Sequence, residues 1–465
     1  MLLKEVIKEF GEMRFMVESL NLLTSSGKRW LLSQSMMTEV EDIEKALQDQ
    51  SLFHRAFCLR GNESIFSLLS VKMMQLLDIS GTIRHLNHGN ILTDIELFEV
   101  KKFALLSHDI VHIITPLNFS FLTFSPLVKV IDLLDPEGKR IPHFYICDQY
   151  SPTLRDLREQ MSLLINNNGD EAKIEELRFR AQQVEDEIRK DISQSLSVYA
   201  SNLLQNLEQL AYLDVLLARS IQIEALNLSC PICNTTITSY QGLFAPEVRQ
   251  QLEEQGKHFQ PIDITLKQEP TLIMGANMAG KSILLKSVAL AQILFQFGFF
   301  VPAEQAQIVP VKKIALLIGD AEDTQRGLSS YAAEMLRLNE VIKDTKANVK
   351  QLVLIDELAR TTNPQEGSAI VCGVVDFLEE YSVCSLVTSH YAVDIPCRKL
   401  RVKGFKQKEN QAINLDNLND YIDYSLEEAG DGQVPHEAIR IAEIIGVEPS
   451  VLNRIHRYLN NDTAQ

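Results

Sequence analysis

Thr271-Leu272-Ile273-Met274-Gly275-Ala276-Asn277-Met278-Ala279-Gly280-Lys281-Ser282 passes from an apolar, strand-forming run into a turn bounded by glycines, and Ile283 to Phe297 then continues apolar. Strand, glycine turn and helix are the context that an eight-position phosphate loop, Gly275 to Ser282, requires. The physical demands match the residue types. Glycines let backbone N–H groups wrap phosphates, and a helix N-terminus favours anions. The ammonium of Lys281 neutralises the β and γ phosphates, and the hydroxyl of Ser282 can ligate magnesium.

Two further strand ends complete a nucleotide-hydrolysing set. Leu352-Val353-Leu354-Ile355 is a buried-strand run ending in Asp356-Glu357, about 75 residues after the loop. Asp356 can hold the magnesium shell, and Glu357 can orient or deprotonate the attacking water. Ser385 to Thr388 is a third apolar strand, followed by Ser389-His390, where a neutral imidazole could face the γ phosphate or the water. Short strands alternating with helical segments from about residue 235 predict a mostly parallel sheet.

Upstream the pattern is helical. Ile7, Phe10, Met13, Val17 and Leu20 recur at helical spacing, as do Ile65, Leu69, Met73 and Leu76. Ser151-Pro152 is a helix start, with serine to cap and proline at the first helical position. That helix ends near Asn166-Asn167-Asn168-Gly169. Ile174, Leu177, Ala181, Val184 and Ile188 then begin a pattern with no breaker until about Leu226. As one helix it would span roughly 75 Å, long enough to serve as a strut or as a lever between distant sites. Past Gly432, His436 to Ile445 and Ser450 to Leu459 read as two short helices for C-terminal packing or dimerisation. The expected organisation is a helical domain over 1–150, lever helices over 151–228, a P-loop ATPase domain of ABC-like type over 229–432, and the helical element over 433–465.

Composition narrows the partners. A chain of 465 residues with 45% hydrophobic and 23% charged residues can bury several cores. The net charge of −17 repels a phosphate backbone as a whole, so DNA contact would need a local basic patch or a closed ring. Seven cysteines, an odd number in a large chain, point to reduced thiols. Cys230 and Cys233 have the spacing of two zinc ligands, but no second pair follows them, so they read as structural or incidental, with zinc the alternative. The opening MLLKEVIKEFGEMRF has no secretory pattern and no stretch stays apolar for roughly 18 residues, which predicts a cytoplasmic protein without membrane spans.

The wording of the motifs resembles the ATPase domain of MutS proteins: the Asn277-Met278 pair inside the loop, Asp356-Glu357-Leu358-Ala359-Arg360-Thr361-Thr362, and Ser389-His390-Tyr391. The likeness extends over Gly298 to Ala303, over Gly327-Leu328-Ser329-Ser330-Tyr331 with Glu334, and over the C-terminal helical pair. It continues more faintly into Leu207 to Leu217. It implies ATP and magnesium as cofactors, with contacts from Gly275 through Ser282 and Ile283, and catalytic roles for Lys281, Glu357 and His390. The resemblance also places Phe259 and Tyr424 at the adenine ring. It implies sites shared across a homodimer, or a heterodimer with a related subunit, in which Ser329 or Ser330 reaches the neighbour's γ phosphate and Arg360 to Asn363 pass near the opposing site.

Mismatch readers of the family carry further N-terminal domains and a clamp, and the chain is expected to have room only for the helical core, a short lever and the ATPase. Asp170, Glu171, Glu175 and Glu176 make the hairpin tip acidic. The run from Asp356 to Gly367, with Gly327 to Ser330, resembles a short subgroup linked to reactivation of cobalamin-dependent lysine or ornithine aminomutases. The expectation is therefore a protein client, with mismatched or branched DNA as the alternative.

Overall fold

The computed structural model describes residues 1–274, 280–318, 330–360, 362–391, 393–405, 421–429, 437–444 and 446–462. Among the described residues ten strands fall into two sheets. The smaller joins β1 (Ile232–Cys233), β2 (Thr238–Leu243), β3 (Ile262–Leu266) and β5 (Gln305–Ile308) in the order β1-β5-β2-β3. The larger joins β4 (Pro270–Met274), β6 (Lys313–Leu317), β7 (Gln351–Ile355), β8 (Cys384–Ser389), β9 (Arg398–Phe405) and β10 (Ile422–Glu428) in the order β10-β9-β4-β8-β7-β6.

Five neighbouring strands of the larger sheet are parallel and only β10 runs antiparallel to its neighbour, so the expected mostly parallel sheet is this one, whereas in the smaller sheet β2 runs antiparallel to both β3 and β5. The strands anticipated at 271–274, 352–355 and 385–388 are β4, β7 and β8. Their centres are continuous apolar runs because helices cover both faces, leaving no solvated side to demand alternation. Register brings their ends level, with Met274 opposite Ser389 and Ile355 opposite Val387. Three adjacent carboxyl ends therefore open on one side of the sheet, where ligands bind in open α/β folds.

The helical half contains the 19-residue helix Val40–Cys58 and the 21-residue helix Asp94–Ile114, the second opened by a Thr93/Glu96 capping box. Pro152–Asn166 starts on the predicted Ser151 cap, whose Oγ accepts from the Leu154 amide. It packs antiparallel on Glu171–Ser197. The uninterrupted helix expected from about 170 to 226 is in fact two helices of 27 residues, Glu171–Ser197 and Ala200–Leu226. The Tyr199 amide bonds the Leu196 carbonyl at 2.8 Å, a tightened turn that Val198 exposes to solvent. No glycine or proline marks this break. It lets the first helix stay with the hairpin while the second turns into the interior.

Ala200–Leu226 is buried around most of its circumference and ends on Asn227 in a left-handed cap. Leu203, Leu207, Leu210, Leu213, Leu216 and Leu217 join the core of the helical layers, whereas Val215, Ala218 and Ile223 join a second core that includes Ile273, Leu284, Leu354 and Leu386 of the sheet domain. Leu3, Val6, Phe10, Met13, Met16, Leu31 and Leu47 also belong to this second core. Residues 1–47 are thus packed with the sheet domain, and residues 53–217 supply the other core. The buried polar side chains of Ala200–Leu226 are used to fix neighbours. Asp214 accepts from the Leu23 and Thr24 amides and the Thr24 hydroxyl, and Gln222 donates to the Met16 carbonyl at 2.6 Å.

Candidate nucleotide site

Of the phosphate loop, residues 275–279 lie outside the described residues, as does Ser329. Gly280 is described. It stands before the helix Lys281–Gln296 at φ +70°, a left-handed value that glycine adopts without strain. A Cβ there would meet the Tyr424 ring at 3.3 Å. Tyr424, on β10, is therefore already against the loop–helix junction, and glycine is what permits the approach. Phe259 is brought to the same edge: the adjacent Gln260 accepts from the Tyr424 amide at 3.2 Å and donates to Asp423 at 2.8 Å. Burial alone would raise the Asp423 carboxyl, but hydrogen bonds from Gln260 and Ser425 and the charge of Lys403 hold it down to about 2. That pinned carboxylate fixes the half-buried aromatic edge.

Lys281 points inward, its side chain only 2% exposed, with Nζ 3.7 Å from Glu357 Oε1. Burial lowers its pKa, opposed by the charges of Glu357 and Asp356. A buried ammonium is stable only beside negative charge, and here the two strand-end carboxylates provide it. Ser282 and Ile283 follow on the exposed first turn. The helix behind them buries Leu284, Leu285, Val288 and Leu294, so Lys281 rides on a rigid element.

The carboxylates are held by β8. Thr388 Oγ1 donates to Asp356 Oδ1 at 2.7 Å and accepts from the Glu357 amide at 2.9 Å. Beyond β7 the chain adopts left-handed conformations at Glu357, φ +50°, and Ala359, φ +59°. Neither residue is glycine, and such strain persists only where the surroundings overdetermine it. Those surroundings are visible: Glu334 accepts from the Ala359 amide at 3.3 Å, and the Tyr391 hydroxyl donates to the Ala359 carbonyl at 2.8 Å. Arg360 Nη1 stands 3.6 Å from Glu357 Oε2. Asn363 caps the helix Pro364–Glu380 by accepting from the Glu366 amide.

His390 follows β8, the strand between β4 and β7, so it sits between the phosphate loop and the carboxylates. Partial burial lowers its pKa, against the raising influence of Glu357. The imidazole is therefore neutral at physiological pH and able to accept or donate one proton. Lys281, Asp356, Glu357, His390, Gly280 and Tyr424 are thus brought together. Of the Ser329–Ser330 pair, only the backbone of Ser330 is described, opening the helix Ser330–Lys346.

Residues 271–461 match the family model for MutS domain V. These residues are MutS-like. The "Endonuclease MutS2" of Bacillus cytotoxicus is 27% identical over 312 residues, 66% of this chain and 37% of that protein. The "Endonuclease MutS2" of Thermus thermophilus is 31% identical over 232 residues, 50% of this chain and 29% of the relative. The "DNA mismatch repair protein MutS" of Protochlamydia amoebophila is 28% identical over 300 residues, 63% and 34% respectively. The chain thus spans about a third of the length of these relatives. Among the described residues no helix is long and apolar enough to cross a membrane.

Thr388, within the stretch similar to MutS domain V, and Arg219, upstream of it, are positioning residues that sequence reasoning missed. Thr388 is a strand residue whose hydroxyl gains its role only when β7 lies beside it. Arg219, fully buried on Ala200–Leu226, donates to the carbonyls of Phe297 and Gly298 at 3.2 and 3.1 Å and lies over the Phe299 ring at 3.6 Å. Burial lowers its pKa to about 10, which leaves it charged at neutral pH. Its cation meets the negative end of the helix that Lys281 begins. The charge pattern around Arg219 offered no sign of this.

The role of Thr388 is testable. Thr388→Val keeps the shape and removes the hydroxyl shared by Asp356 and the Glu357 amide. The expected outcome is a folded protein destabilised by about 1–3 kcal/mol, with turnover reduced at least tenfold, measured by thermal melting and steady-state phosphate release. Unchanged turnover would remove Thr388 from the site.

Proposed function

We propose that this chain hydrolyses ATP to ADP and phosphate and works as a dimeric conformational switch acting on a partner protein. The observation that carries the reading is the Lys281–Glu357 pair beside Asp356 at three level strand ends. ATP phosphates would compete with Glu357 for the Lys281 ammonium, and so free the Glu357 carboxylate to orient water while His390 contacts the same region. The residues fit magnesium as well: Ser282 is exposed at the helix start and Asp356 is held by Thr388. Magnesium held by those two would supply charge neutralisation at the β and γ phosphates. Phe259 and Tyr424 would stack the adenine. Ser329 or Ser330 would reach the γ phosphate of a neighbouring subunit, and the helices of 437–462 would join the dimer.

Movement has a rigid route. The helix Lys281–Gln296 begins at the phosphates and ends on Arg219, so displacement at the nucleotide passes directly to Ala200–Leu226 and the helical layers. The client we propose is an enzyme of the cobalamin-dependent lysine or ornithine aminomutase type, in keeping with exposed Asp170, Glu171, Glu175 and Glu176 at the hairpin tip, which repel phosphates. A second reading, binding of mismatched or branched DNA, is favoured by the names of the relatives. It also draws on a cavity of about 420 Å³ lined by Lys72, Lys102, His108 and Arg140, although Lys72 pairs with Asp109 and Arg140 with Asp132.

Steady-state ATPase activity separates the two readings: the chain alone, with homoduplex or mismatched DNA, and with an inactivated aminomutase, all at one salt concentration, with Lys281→Ala as blank. We expect stimulation and enzyme recovery with the aminomutase only. Stimulation by mismatched DNA alone would replace this reading with the repair one.

A further inference from the structure

We propose that His54, Cys58 and Glu224 form a site for one tetrahedral divalent metal ion of the zinc class, at the junction of the helical layers and the sheet domain. His54 and Cys58 lie four residues apart on the helix Val40–Cys58, hence on one face. Glu224 comes from the last turn of Ala200–Leu226.

The three ligand atoms form a triangle. Cys58 Sγ is 3.6 Å from His54 Nε2 and 3.4 Å from Glu224 Oε1, and His54 Nε2 is 3.2 Å from the same oxygen. Zinc bonds of about 2.3 Å to sulfur, 2.0–2.1 Å to nitrogen and 2.0–2.2 Å to oxygen, at tetrahedral angles, give edges of about 3.6, 3.6 and 3.4 Å, each within about 0.2 Å of the edge found. The match holds on every edge. Among the described residues this is the group of three side chains with metal-ligand spacing.

A thiolate, imidazole and carboxylate set suits zinc rather than magnesium or calcium. Cys58 and Glu224 are exposed, so water can take the fourth position. The His54 ring is flanked by Phe57 and Phe300 at centroid distances of 6.4 and 6.0 Å, which limits its rotation. A free thiol, with a pKa of about 8.5, carries its proton at neutral pH. Binding therefore forms a metal–sulfur bond as the S–H proton leaves to solvent, and it tightens as pH rises.

Cys230 and Cys233 stand outside this triangle. Cys230 Sγ contacts Ser51 Oγ at 3.4 Å, one turn back along the same helix. The ion would cross-link the helix Val40–Cys58 to the end of Ala200–Leu226, three residues before Asn227 turns the chain toward the Ser229–Val301 bridge of the sheet domain.

The test is titration of the metal-stripped full chain with Co²⁺, without nucleotide or magnesium, followed by displacement with Zn²⁺. We expect one equivalent to bind with a thiolate-to-cobalt charge-transfer band and intense tetrahedral ligand-field bands, and one proton to be released. Cys58→Ser should abolish the charge-transfer band. Glu224→Gln, at an exposed position that folding does not need, should weaken binding more than about a hundredfold, beyond the loss typical of outer partners. Cys230→Ser should behave as the parent. Absence of the charge-transfer band from the parent, its survival in Cys58→Ser, or unchanged affinity in Glu224→Gln would each overturn the site.

Discussion

Glu357→Gln is expected to bind ATP at least as tightly as the parent chain and to turn it over about 10²–10⁴-fold more slowly. The amide keeps the size of the side chain but cannot take a proton or hold charge. It also stops competing with phosphates for Lys281, whose Nζ the carboxylate approaches to 3.7 Å. Binding and turnover therefore move in opposite directions. Lys281→Ala removes the ammonium itself and should weaken binding and turnover together. The contrast is read from nucleotide affinity and single-turnover hydrolysis, with sedimentation reporting whether the Glu357→Gln protein accumulates as a closed dimer on ATP. Parental turnover in Glu357→Gln would end the assignment of the water-orienting role.

Gly367→Ala is expected to destabilise the sheet domain by about 2–4 kcal/mol, although the position is helical. Helix propensity alone would make alanine the better residue by about 1 kcal/mol, so the sign of the effect decides which force wins. A Cβ on Gly367 would lie 2.4 Å from Tyr391 Cζ and 2.5 Å from its hydroxyl oxygen. Overpacking of this kind costs about 1–3 kcal/mol. Moving the ring also takes the buried Tyr391 hydroxyl from the Ala359 carbonyl, which keeps its bond from the Thr362 amide, and leaves that donor unpaired for about 1–3 kcal/mol more. A fall in melting temperature of roughly 5–10 °C should result. Hydrolysis should fall too, because Ala359 belongs to the left-handed turn carrying Glu357. Adding Tyr391→Ala frees the space, so the double variant should be more stable than the two separate losses sum to. A melting temperature at or above the parent's in Gly367→Ala would refute the clash.

What the sequence disclosed was set by range. β4, β7 and β8 were legible because a strand buried on both faces must be apolar throughout, and the residues after each strand announce their chemistry by type. The Ser151 cap was legible for the same local reason. The break at Val198–Tyr199 was not, since neither residue ends a helix intrinsically and only diverging tertiary contacts separate the two halves. Nor could the stripe of Phe10, Met13 and Val17 name its partner. An amphipathic face predicts burial, but only the fold shows that Gly11–Glu18 lies against the helix Lys281–Gln296, with Glu12 2.8 Å from Lys286. Thr388 and Arg219 escaped because a hydroxyl or a cation acquires meaning from what lies beside it.

The membership of residues 3–47 in the core of the sheet domain bears on how the chain is made. Synthesis delivers those residues before their partners: Met37 exchanges hydrogen bonds with Gln296, and Leu3, Phe10 and Met16 share a core with Leu354 and Leu386. Their partners leave the ribosome hundreds of residues later. Closing so long a loop adds little entropy relative to a shorter one, but it delays the reward, and until then the stripe of Leu3, Val6, Phe10, Met13 and Met16 is exposed and open to association. The core of 53–217 can condense first, whereas the nucleotide domain reaches its final packing only when its opening segment is recaptured.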